Sequence, residues 1–139
     1  FECLFGIRFY DDYKNKSGSK LLHCYAHHNS GGSGGSTKGG KHNKLMNLHW
    51  SSPFADLILG GHTHGHTNDY VEIWYLDRSG VQRRKIQHLV CTGTALKSGE
   101  KYSRQNAMHP APIGFPIIEI KLLQGQVKEF EITIKRVIK

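Results

Sequence analysis

The sequence predicts a β-rich α/β domain of mainly antiparallel strands with one or two short helices. Apolar runs of strand length recur along the 139 residues and are separated by turn chemistry. Pairs of such runs flank the short turns "RSG" and "QG", as hairpin strands do. Only Lys41–Trp50 spaces its leucines as a helix would. No internal repeat or domain boundary interrupts the pattern, so residues 1–139 are read as one domain.

"CLFGIRFY" (Cys3–Tyr10) and "LLHCYAHH" (Leu21–His28) are rich in β-formers and lie either side of the polar "DDYKNKSGSK", which predicts an antiparallel pair. Asn29–Gly40 holds six glycines and is expected to lie outside any helix or strand interior. Lys41–Trp50 follows as a short helix with Leu45, Leu48 and Trp50 toward one face, stopped by Pro53. "FADLILG" (Phe54–Gly60) is a short buried strand that delivers "GHTHGH". Tyr70–Asp77 and Val81–Gly93 form a hairpin about "RSG". The segment from Ala95 to Gly114 is irregular, with a brief helical turn near Tyr102. "FPIIEIKLL" and "VKEFEITIKRVI" close the chain as a hairpin, each alternating apolar and polar residues so that one face is buried.

Composition narrows the function classes. Hydrophobic residues make up 37% and charged residues 22%, which excludes a disordered chain. No apolar run approaches the roughly 18–20 residues of a membrane helix, and no charged-then-apolar leader is visible. Cys3, Cys24 and Cys91 are widely spaced without C-x-x-C, so a reducing, cytoplasmic compartment is expected. The net charge of +8 favours anionic partners such as phosphate esters or nucleic acid.

Histidine position carries the most specific signal. In "LILGGHTHGH" two glycines let the chain turn sharply off a buried strand, and His62 and His64 follow at i, i+2. Two imidazoles so spaced reach neighbouring points and suit Zn, Fe, Mn or Ni. His27 and His28 end an earlier strand in the same manner. If the two strands share a sheet, both clusters meet at one edge. Cys24 and His27, three apart on a strand, point to opposite faces.

"ADLILGGHTH" resembles the G-H-x-H signature of the calcineurin-like metallophosphoesterases, together with its preceding strand. "YAHHNSGGSGGSTKGGKHNKL" resembles the ligand-histidine, glycine-rich loop and helix of the phage and bacterial branch. "CTGTALKSGEKYS" and "PIGFPIIEI" resemble its later strands, so the likeness spans Leu21 to Leu122. It implies the C-terminal part of a four-layer αββα sandwich that hydrolyses phosphate mono- or diesters. It also implies two divalent metal ions (Mn, Fe, Zn or Ni), about 3.5–4 Å apart, that clamp the attacking and leaving oxygens. On that pattern His27 or else His28 binds one ion with His62, and His64 binds the other. The family's D-x-H, G-D-x-x-D and G-N-H-[DE] motifs do not occur in this chain. The bridging carboxylate and the asparagine ligand are therefore missing, no catalytic residue is assigned, and the chain is expected to be inactive or nearly so alone. The expected partner is a phosphate-ester substrate, nucleic acid or nucleotide included, with no membrane; the oligomeric state is left open.

Other readings compete. Gly35-x-x-x-x-Gly40-Lys41 nearly matches a P-loop, but His42 stands where the Mg²⁺-binding hydroxyl belongs and no partner aspartate ends a later strand. The loop is read instead as accessory to metal chemistry, with Lys38, Lys41 and His42 as candidate phosphate contacts. A non-catalytic basic nucleic-acid-binding module is supported by the charge, "RRK" and "KRVIK", but no aromatic platform interleaved with basic residues is evident. A single structural zinc held by His27, His62 and His64, with Cys24 or His66, is the remaining alternative. Asp69 is a weaker ligand candidate, His66 a supporting group, and Tyr102 and Arg104 candidate substrate contacts.

Overall fold

The computed structural model describes residues 2–10, 18–28, 38–61, 67–93, 113–123 and 129–138. Along the chain run β1 (Glu2–Phe9), β2 (Lys20–His28), α1 (Lys38–Ser51), β3 (Leu57–Gly61), β4 (Asn68–Leu76), β5 (Gln82–Cys91), β6 (Gly114–Leu123) and β7 (Glu129–Ile138). The β-rich α/β class expected from sequence is what forms. Strands β1-β2-β3-β5-β4 make a five-stranded sheet, and β6-β7 a separate two-stranded one. β1–β2, β4–β5 and β6–β7 are antiparallel, whereas β3 lies parallel to both β2 and β5. No helix among the described residues is long and apolar enough to cross a membrane.

The β4–β5 hairpin follows from its turn chemistry. Between β4 and β5, Asp77 Oδ1 accepts the amides of Ser79 (2.8 Å) and Val81 (3.0 Å), and Gly80 takes φ 73°. That left-handed conformation is open to glycine at little cost. Arg83 Nε donates to Asp77 Oδ2 at 2.9 Å, and this bond holds the exposed Asp77 carboxyl below its ordinary pKa.

The parallel centre comes from the β2–α1–β3 crossover, which lays α1 on one sheet face. There Leu45 and Leu48 pack on Tyr25, Ile58, Leu89 and Cys91. The β6–β7 hairpin covers part of the other face, placing Ile118, Ile120, Phe130, Ile132 and Ile134 on Leu22, Cys24, Leu57 and Val90. Helix, five-stranded sheet and hairpin therefore form three layers.

Some boundaries differ from expectation. Helix α1 begins at Lys38 and takes Gly39 and Gly40 into its first turn. Trp50 is 79% exposed, because Leu45 and Leu48 already fill the face that α1 turns to the sheet. β3 begins at Leu57, not Phe54, since Phe54 and Ala55 lie in the turn that brings the chain off α1. The helical turn near Tyr102 lies outside the described residues.

Gln87 is buried on the helix face and ties that turn down. Its Nε2 donates to Ser52 O (2.9 Å) and Ala55 O (2.8 Å), and its Oε1 faces His49 Nδ1 at 2.7 Å. Gln87→Leu leaves those buried carbonyls without this donor, and about 1–3 kcal/mol of stability is expected to be lost in denaturant unfolding.

The Cys24 thiol lies under the β6–β7 hairpin, and burial, helped by the Asp56 charge, pushes its pKa up to about 11 from 9.0. The neutral thiol is the form the fold favours. Its contribution to stability is thus present below pH 9.0 and is lost as pH rises toward about 11. With a thiol reagent near pH 8, exposed Cys3 is expected to react fast, and Cys24 and Cys91 only on unfolding.

Candidate functional site

Strands β2, β3 and β5 run in the same direction, so their C-terminal ends share one sheet edge. The register is direct: His27 pairs with Gly60 and His28 with Gly61. Gly60 pairs in turn with Cys91, and Thr92 N donates to Gly60 O at 3.0 Å. β2 thus brings the His27–His28 pair beside the residues from which the His62-x-His64 loop departs. In open α/β sheets this edge, beyond the carboxyl ends of parallel strands, is where ligands bind.

The two histidines lie on opposite faces of the sheet, as strand alternation requires. His27 shares the helix face with Tyr25, their rings 6.1 Å apart between centroids. It borders a shallow groove of about 460 Å³ with Glu2, Leu4 and Tyr25. His28 lies on the other face, against Gly61. A Cβ added at Gly61 would stand 3.3 Å from His28 Nδ1, so this glycine leaves room for the imidazole.

His62, His64 and His66 lie outside the described residues, as do Tyr102 and Arg104. Among the described residues no group of three or more His, Cys, Asp or Glu is gathered to hold a metal ion. Lys38, Lys41 and His42 all fall in α1, at its N-terminal end. Topology directs that end toward the histidine edge. α1 leaves β2 there and returns over its 14 residues, about 21 Å, to the start of β3. Its first turn contains no acidic residue to offset the positive pole of the helix dipole.

Sequence reasoning passed over one carboxylate at this edge. Glu2 is the cross-strand partner of His27 and accepts the Tyr25 hydroxyl at 2.8 Å. Nothing in the chain near Glu2 signals this, because its position depends on the β1–β2 register. Asp69, the second residue of β4, lies at the same edge, where its Oδ1 accepts the amide of Tyr70 at 2.7 Å. Arg136 of β7 reaches across to donate to Asn68 Oδ1.

A cavity of about 690 Å³ lies at the opposite end of the parallel strands. It forms because β3 starts later than β2 and β5. Asp56 closes it by bridging three strands: Oδ2 accepts His23 N at 2.9 Å, its own amide donates to His23 O at 2.8 Å, and its carbonyl accepts His88 N at 2.9 Å. Lys85 Nζ sits 3.6 Å from Asp56 Oδ1 and donates to Phe54 O at 2.6 Å. Burial lowers the Lys85 pKa and Asp56 opposes that shift. These charges are spent on one another and on backbone, so the larger cavity reads as the foot of the sheet, and the histidine edge is the better candidate for chemistry.

Compared with protein-family models, with curated proteins and with solved structures, the chain matches none.

Proposed function

We propose that the chain is the C-terminal part of a metal-dependent phosphoesterase domain of the calcineurin-like kind, with the histidine edge as its half of the active site. The observation that carries this reading is the parallel register of β2 and β3, which sets His27 and His28 beside Gly60 and Gly61 at the root of G-H-T-H. The donor chemistry fits divalent metal: imidazoles at the end of β2 and in the sequence that follows β3. His27 or His28, His62 and His64 would hold the ions. When bound, the ions supply Lewis-acid stabilisation of charge on the phosphate ester.

The chain's own residues contribute binding and orientation. The first turn of α1, with Lys38 and Lys41 in its sequence and no acid, favours an anion through free N–H groups and the helix dipole. His42, in the following turn of sequence, stays a candidate contact to the same phosphate. Gly61 keeps the space that His28 occupies.

The four-layer αββα sandwich is supported by what the three described layers leave uncovered. Phe5 and Ile7 of β1 are each 39% exposed on the face that carries the β6–β7 hairpin. A second sheet wider than two strands would bury them.

A preparation loaded with Mn²⁺ or Zn²⁺ and assayed on a generic phosphodiester tests the reading. Metal uptake with little or no turnover is expected, since the family's carboxylate and asparagine ligands are absent. Substantial turnover abolished by His64→Ala would contradict the half-site view. One tight zinc per chain, with no second ion, would favour the structural-zinc alternative.

A further inference from the structure

We propose that the outer face of the β4–β5 hairpin binds single-stranded nucleic acid, with Tyr70 and Trp74 as base-stacking platforms. Assigning that polymer as the phosphodiester presented to the histidine edge rests on the phosphoesterase reading; the binding itself does not.

Tyr70 and Trp74 are 65% and 58% exposed, large values for aromatics within a strand. Four residues apart on β4, they project from the same face. The antiparallel register sets Arg84 opposite Trp74 and His88 opposite Tyr70. The β6–β7 hairpin packs over β2, β3 and the end of β5, and leaves this outer strip open. The same face carries Leu76 and Ile86, 69% and 45% exposed, and a charged pair interrupts this apolar run. Glu72 lies between the two rings, and its carboxylate is 3.8 Å from the Arg84 guanidinium, with both side chains largely in solvent. Separate aromatic rings flanked by charge suit bases, each of which has a π-face whatever its sequence, and the chain's net charge of +8 attracts the phosphates between them.

The strip also leads to the site. Tyr70 stands two residues, about 7 Å, beyond Asn68 at the histidine edge, and Trp74 about 14 Å further. Arg136, bonded to Asn68, places a guanidinium at the head of the strip. A single strand stacked on both rings would carry its backbone toward the ends of β2 and β3.

The test is fluorescence anisotropy of labelled oligothymidylate, oligouridylate and a DNA duplex of equal length, in EDTA so that nothing is hydrolysed. Single strands are expected to bind more tightly than duplex, and to weaken as salt rises. Tyr70→Ala and Trp74→Ala are each expected to weaken binding about 5- to 150-fold, with thermal unfolding unchanged because both rings are exposed. Glu72→Gln is expected to tighten binding. Failure of single strands to bind, preference for duplex, or affinity unmoved by both aromatic variants overturns the proposal. So does a change in self-association on Trp74→Ala with oligonucleotide affinity unchanged, which marks a protein-docking face. Metal uptake compared with His64→Ala reads the histidine edge separately, so either reading can fail while the other stands.

Discussion

Replacing His62 and His64 together by alanine is expected to abolish specific binding of Mn²⁺ or Zn²⁺ by the chain. G-H-T-H supplies one donor to each ion on the implied pattern, and no acidic residue in the loop can substitute. Removing a direct ligand should cost more than the roughly 10–100-fold typical of losing a supporting hydrogen bond to one. Isothermal titration of the chain and the double variant measures it. Single replacements on β2 should be unequal. His27 and His28 lie on opposite sheet faces, so only one can share an ion with His62, and its alanine variant alone should approach the double variant. Equal, small effects at both positions would remove β2 from the site. The fold should survive these changes, because His28 is exposed and His27 half-buried at a strand end.

Ile58→Ala is expected to cost about 2–5 kcal/mol, a large share of the roughly 5–15 kcal/mol that holds a domain of this size. Ile58 is fully buried in β3, the central strand, where Tyr25 and Leu89 flank it in register and Leu45 and Leu48 belong to the same apolar cluster. The side chains around it come from three elements, β2, β5 and α1, so the space left cannot close by moving one neighbour. Urea unfolding should show a lower midpoint with an unchanged slope. Because β3 also carries Gly60 and Gly61, the same variant should weaken metal binding while leaving every ligand in place. A midpoint within experimental error of the unmodified chain would show that the α1–sheet cluster is not the main core.

Local structure was legible where one rule governs one segment. The β4–β5 and β6–β7 hairpins follow from strand-length runs about short turns, the β1–β2 pair from β-forming runs either side of a polar stretch, and Leu45 and Leu48 from helical spacing. Trp50 and Phe54 depart from the expectation because a large apolar side chain need not be buried. The helix face is filled without Trp50, and Phe54 lies in the turn before β3. The parallel placement of β3 between β2 and β5 was open in the sequence, since a buried strand of five residues shows no preference for direction. That placement sets His27 and His28 beside Gly60 and Gly61, the geometry on which the candidate site rests. Long-range register also explains the residues passed over. Glu2 meets His27 across β1–β2, and Arg84 meets Trp74 across β4–β5, so the aromatic and basic groups that appear separate along the chain stand together on the sheet.

On the proposed function the ends of β2 and β3 jointly hold divalent metal. Paramagnetic broadening reads it directly, even where affinity is modest. With Mn²⁺ added below one equivalent, imidazole resonances of His62, His64 and one of the His27–His28 pair are expected to broaden first and most, while those of His23 and His88, set back along β2 and β5, broaden less. Broadening centred on His23 and His88, or none that singles out the G-H-T-H histidines, would contradict it.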